Sequence, residues 1–319
     1  MHLANQRQSD AAAIPPTASR GLWGDALRRL LKNRLAIVGG ATVSLFILAA
    51  FFAPFVAPKH YDEESFQDNY APPGGKYVMG ADFMGRDVLS RIIYGARVSL
   101  TVGIVGATMS MLIGVAYGSI AGYYGGKLDN AMMRFVDLMY AFPTLLLIIL
   151  IMVYFRSVAA SGQAEGLIKV LRAIDTSMGG LFFIFIGIGV TAWMTMARLV
   201  RGMVLSLKEK EFVQAARAVG ASEARIIAFH LLPNFVGPVV VAETLNMPTY
   251  ILYEAFLSFI GLGVNPPTPS WGAMINEGMQ GMRSYPHLVL FPGLALALTL
   301  LSFNFLGDGL RDALDPKMR

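Results

Sequence analysis

The chain has 319 residues, of which 55% are hydrophobic and only 15% charged, with a mean hydropathy of +0.54 and a net charge of +5. Soluble domains average about 25% charged residues, so this composition excludes an ordinary water-exposed globule. The absence of cysteine excludes disulfides, thiolate metal sites and a catalytic thiol. His2, His60, His230 and His287 are scattered without metal-ligand spacing. The basic residues sit beside apolar runs, which points to orientation in a membrane and not to nucleic acid.

Residues 1–20 are polar and rich in Ala and Pro, a composition that predicts disorder. Residues 21–34 read as a basic amphipathic helix. Leu22, Trp23, Ala26, Leu27, Leu30 and Leu31 oppose Arg28, Arg29, Lys32 and Arg34, as in an interfacial anchor. Six apolar runs follow, at 35–57, 98–126, 138–155, 176–197, 235–264 and 284–307. Each approaches the ~20 residues a helix needs to cross hydrocarbon. Their unbroken apolarity excludes barrel strands, which alternate. The first run follows 34 polar residues and is too long for a usual cleaved signal, so it is read as a span. Lys and Arg divide about two to one in favour of the side that holds the N-terminus, which predicts both termini in the cytoplasm.

Between the spans, the outer loop 58–97 has a Pro72-Pro73-Gly74-Gly75 turn and helix-start chemistry at 80–87. A short amphipathic helix is expected at about 164–174, supported by a Glu165–Lys169 pair. Residues 265–272 read as a stiff turn with an aromatic anchor, Trp271, before the last span. The cytoplasmic loop 206–234 is too long for a turn. It predicts a helix over 209–219, a stop at Gly220, and a second helix capped by Ser222. That helix is expected to end before Pro233. Ala215, Ala216, Ala218 and Ala221 allow close approach by another surface. Arg134 and Asp137, one turn apart, are expected to pair. Glu243 and Glu254 lie inside the fifth run near Pro238 and Pro248, and are candidates for a translocation path.

The loop 206–234 resembles the "EAA" loop of ABC importer permeases: Gln214-Ala215-Ala216, then Gly220, His230 and Leu232-Pro233 at the family's spacing. Gln214 stands where the family has Glu, and His230 where it has Ile. Further stretches resemble the dipeptide and oligopeptide permease family: Gly-Arg-Asp-Val-Leu-Ser-Arg at 85–91, Ala-Gly-Tyr-Tyr-Gly-Gly at 121–126, Phe-Leu-Ser-Phe-Ile-Gly-Leu-Gly at 256–263, and Asn-Phe-Leu-Gly-Asp-Gly-Leu-Arg-Asp-Ala-Leu-Asp-Pro at 304–316.

The resemblance implies an all-α type I importer permease fold in a bacterial inner membrane. It implies a second homologous permease, two ATPase subunits that bind ATP and Mg²⁺, and an extracytoplasmic solute-binding protein. Gln214, Ala215, Ala216, Gly220, Ala221, Ser222, His230, Leu232 and Pro233 would form the ATPase-coupling element, within a permease domain of 35–308 flanked by segments 1–34 and 309–319. No catalytic or metal residue is expected in the chain, which lacks a phosphate-binding Gly-x-x-x-x-Gly-Lys-Ser/Thr. The solute is read as a peptide, with a nickel chelate, glutathione or a sugar as alternatives within the family. A self-sufficient secondary transporter is the rival outside it; no inverted repeat is visible to support one. An intramembrane enzyme would need paired Asp or His-Glu-x-x-His, which the sequence lacks.

Overall fold

The computed structural model describes residues 22–160 and 166–314, so the expectation for 1–20 and the Glu165–Lys169 pair lie outside them. Among the described residues the regular structure is helical, with two isolated β-bridges between residues 74 and 87. A short amphipathic α1 (Leu22–Leu30) leads through Asn33, whose side chain accepts from the amides of Leu35 and Ala36, into α2 (Arg34–Phe51). After α3 (Ala53–Val56) and an irregular loop, Asp87 caps α4 (Val88–Tyr124) by accepting from the amide of Ser90 at 2.7 Å. The helix-start chemistry read at 80–87 is realised here. α4 begins ten residues before the apolar run, so Arg91 and Arg97 belong to the helix and not to the loop.

Among the described residues five helices are long and apolar enough to cross a membrane, and one bent pair, counted as one span, brings the total to six. The bent pair replaces the continuous third span expected at 138–155. α5 (Gly126–Tyr140) and α6 (Thr144–Ala160) meet at about 80°. Pro143 explains the break: its ring disfavours helical geometry at Phe142 and it has no N–H to donate. α7 (Leu167–Ser177) realises the expected amphipathic helix slightly later in the chain. α8 (Phe182–Leu207) starts and ends later than its apolar run. α9 (Glu211–Ala218) and α10 (Glu223–Arg225) follow.

The second loop helix does not end before Pro233. It passes through a π-helical segment, Ile226–Leu231, directly into α11 (Leu232–Phe259). Pro233 falls in the first turn of α11, where a missing N–H costs little, and the amide of Leu232 reaches back to the carbonyl of Ile227. The aromatic anchor of the next turn, Trp271, packs inside the bundle. It opens α12 (Trp271–Met279), is fully buried, and donates its indole N–H to the carbonyl of Ile92 at 3.1 Å. α13 (His287–Leu314) returns to the end of the molecule that holds α9, where it packs on α1 and α2.

Small residues set the central contact. Gly114, Gly118 and Gly122 recur every four residues on α4 and face α8. A Cβ at Gly118 would lie 2.4 Å from the carbonyl oxygen of Ala197. The two backbones therefore touch, as small-xxx-small stripes allow in membranes.

Candidate functional site

At one end of the bundle, loop 206–234 folds as a built unit. α9 is closed by a Schellman arrangement, in which Ala221 N–H reaches the carbonyl of Ala216 at 3.0 Å and Gly220 N–H that of Arg217 at 2.9 Å. Gly220 takes φ +84°, which the expected glycine stop requires. Ser222 holds the N-cap position of α10, but its side chain makes no cap bond; only its carbonyl serves, accepting from Ile226. Gln214 is exposed and donates to the carbonyl of Glu209. Val213, Ile226, Leu231 and Phe235 are buried beneath and fasten the loop to α8 and α11. On the opposite face Val219 is 89% exposed and Phe229 72% exposed. Val219, with Ala215, Ala216, Gly220 and His230, lines an open groove.

The loop also grips the α4–α5 corner. The Arg217 guanidinium lies 5.3 Å from the ring centroid of Tyr123, and Lys208 donates to the carbonyl of Gly122. α5 is in turn clamped to α8: Arg201 binds Asp129 through two hydrogen bonds of 2.5 and 2.6 Å. The expected Arg134–Asp137 pair is not formed. Asp137 accepts from Arg198 at 2.6 Å, because the bend turns α5 along the face of α8.

Within the bundle, Glu243 and Glu254 are buried between α4 and α11, and their partners are hydroxyls, not arginines. Glu243 accepts from Ser110 at 2.5 Å and from Tyr250 at 3.2 Å. Glu254 accepts from Ser99 at 2.8 Å and Ser258 at 2.7 Å. Beside Tyr250, the broken span, α8 and α11 leave a recess of about 80 Å³ lined by Tyr140, Thr144, Thr195, Asn246, Thr249 and Tyr253. Tyr140 and Thr195 share a hydrogen bond of 2.7 Å there. Sequence reading missed this recess, because its residues come from four helices, α5, α6, α8 and α11.

It also missed a buried charge cluster at the opposite end. Asp82 accepts from Arg86 and Arg91 at 2.7 and 2.5 Å, and Glu277 of α12 lies 3.3 and 3.0 Å from the same two guanidiniums. The Asp82–Arg86 spacing was a visible signal; the partner 191 residues away was not. Nearby, in the loop before α4, the Lys76 ammonium, Ser65 and Tyr77 hold the Asp68 carboxyl down at about 2.

Comparison with known proteins places this architecture. Residues 114–319 match the family described as binding-protein-dependent transport system inner membrane component, and residues 21–73 match the N-terminal TM domain of oligopeptide transport permease C. The oligopeptide transport system permease protein OppC of Bacillus subtilis is 41% identical, over 94% of this chain and 92% of its own length. OppC of Haemophilus influenzae is 43% identical over 94% and 90%. The glutathione transport system permease protein GsiD of Pectobacterium atrosepticum is 37% identical over 98% of both. Among solved structures, a chain of the MetNI methionine ABC transporter superposes with a TM-score of 0.51 at 21% identity, covering 70% of this chain and 96% of that one, which shows the shared fold. With the family model spanning more than half of the sequence and these relatives nearly all of it, the chain belongs to the inner-membrane permease components of binding-protein-dependent transport systems.

Proposed function

We propose that the chain is one of two related permease subunits of an ATP-driven peptide importer, supplying half of the translocation path. The observation that carries this reading is the loop 206–234. It is fixed from below by buried Val213, Ile226 and Leu231, yet apolar and uncovered on top at Val219 and Phe229. Exposed apolar residues on a well-bonded loop mark a contact surface, and its groove fits an ATPase subunit that moves the loop as nucleotide binds. ATP and Mg²⁺ belong to that subunit. Peptides are the solute class: relatives at 41 to 43% identity are named for oligopeptide and dipeptide transport, and glutathione, the solute named for another relative, is itself a short peptide.

The test is to purify the complex with its binding protein and identify the co-purifying ligand by mass spectrometry. Short peptides are expected. A sugar or a metal chelate would overturn the solute, and absence of ATPase subunits from the complex would overturn the importer.

The α9 loop and both termini are assigned to the cytoplasm. Cysteines introduced singly at Glu64 and Ser222, both exposed in a chain without Cys, check this. An impermeant thiol reagent applied to whole cells should label position 64 and spare 222; the reverse pattern inverts the topology.

A further inference from the structure

Threonines inside apolar helices commonly bond their hydroxyls to their own backbone. Five do so here: Thr101, Thr108, Thr191, Thr244 and Thr299 each donate to the carbonyl four residues earlier. Thr249, in the middle of α11, does not. Its hydroxyl and the side-chain amide of Asn246, one turn before it, have no hydrogen-bond partner among the described residues. Thr249 is exposed and Asn246 half-buried, and both line the 80 Å³ recess. A hydroxyl or amide facing hydrocarbon without a partner is costly, so this face meets something polar.

The recess has no Asp, Glu, Lys, Arg or His in its lining. Further along the same face of α11 come Tyr253, Phe256 and Ile260, at successive spacings of four, three and four residues from Thr249. Phe256 and Ile260 are 42% and 43% exposed, so the polar stretch gives way to an apolar one towards α12. Tyr250, also in the lining, donates its hydroxyl proton to Glu243 at 3.2 Å.

The geometry points to a solute-contact subsite at Asn246 and Thr249 that binds the neutral main-chain amides of a peptide in transit. This rests on the reading that the chain is half of a peptide path. Asn246 offers a donor and an acceptor, and Thr249 one of each. Those groups complement peptide N–H and C=O whatever the side chains are. The absence of a fixed charge keeps the hold weak, and a conduit must bind loosely enough to release. Glu243, through Tyr250, acts as a positioning residue for one wall.

The experiment uses the intact complex with its ATPase subunits and binding protein, reconstituted in proteoliposomes, with radiolabelled tri-alanine as the probe. Failure of the wild-type complex to take up tri-alanine counts against the peptide-importer reading itself. Given wild-type uptake, the Asn246→Leu/Thr249→Val double variant should assemble normally and keep its stimulated ATPase activity, while uptake per ATP falls about fivefold or more, the loss expected for one or two hydrogen bonds. Unchanged uptake per ATP overturns the subsite. A second measurement covers a variant that fails to assemble. Thr249→Cys, a nearly isosteric change, should react with a hydrophilic methanethiosulfonate in the assembled complex and lose uptake on reaction. Leu298→Cys, on an exposed apolar face of α13, should not react. A Thr249→Cys complex that fails to react would mean that a helix of the neighbouring permease covers this face, and the subsite would be rejected.

Discussion

At the scale of single residues, Gly220 is where the loop's shape is decided. Its φ of +84° disfavours an L side chain, and a β-branched one most. No atom lies within 4 Å of a Cβ built there, so inside this chain the penalty is backbone strain alone, about 1–2 kcal/mol. Gly220→Val should therefore leave the spans inserted, reduce the ATPase co-purified in a detergent pull-down, and abolish uptake; Gly220→Ala should fall between. Normal abundance together with normal ATPase retention and uptake would remove the coupling role from this loop. Asp68 offers a pH readout at the other end. Its carboxyl is held from an ordinary value near 3.8 down to about 2, first by the Lys76 hydrogen bond and then by Ser65 and Tyr77. A depressed carboxylate contributes stability above its unfolded value that is lost as pH falls through the folded one. The turn 65–77 should thus stay resistant to nicking by an acid-active protease down to about pH 4 and loosen between there and about pH 2. Asp68→Asn should be nicked at every pH, and equal resistance in the variant would show that the carboxylate contributes nothing.

At the scale of elements, the α4–α8 contact rests on the Gly114, Gly118 and Gly122 stripe. Gly118→Val should push the helices apart, because its Cβ would meet the Ala197 carbonyl at 2.4 Å and nearby backbone has no room to yield. Overpacking of this kind costs about 1–3 kcal/mol, readable as a lower midpoint in a detergent thermal-stability assay. Gly202→Val, with nothing within 4 Å of its Cβ, is the matched control and should change little. Equal midpoints for the two variants would mean that α4 and α8 do not pack through this stripe. The spans themselves were legible because apolar runs of the right length have few other uses, and Gly220 was legible because a glycine after a helical run marks a left-handed stop. The bend at 141–143 was half legible: Pro143 stood in the run, but hydropathy continues across a kink and hides it. The reach of Pro233 was misread, since a proline that ends one helix and a proline that opens the next leave the same local signature. Trp271 could not be placed from sequence, because whether an indole lies at a surface or under α4 depends on how helices far apart in the chain come together.

At the scale of the whole molecule, α5 joins the loop to the recess. It leaves α4 through Gly125 and Gly126, both at positive φ, just after Tyr123, on which Arg217 of α9 rests. It ends at Tyr140, which lines the recess and bonds to Thr195. Between those ends the bidentate Asp129–Arg201 bond locks α5 to α8, with Asp129 buried and Arg201 half-exposed. On the proposed coupling, a push on α9 would reach the recess as a displacement of α5 with α8, the two held together by that bond along with Asp137–Arg198 and Tyr140–Thr195. Asp129→Asn weakens a charge-assisted fork to neutral hydrogen bonds, and these are roughly half as strong. The variant should assemble and retain ATPase, since neither Asp129 nor Arg201 lies on the exposed face of the loop. Uptake per ATP should fall several-fold. The exchanged pair Asp129→Arg/Arg201→Asp should recover part of it, a rescue that simple loss of folding would not give. Unchanged coupling in Asp129→Asn would mean that motion passes through α8 and α11 alone, and that α5 only follows.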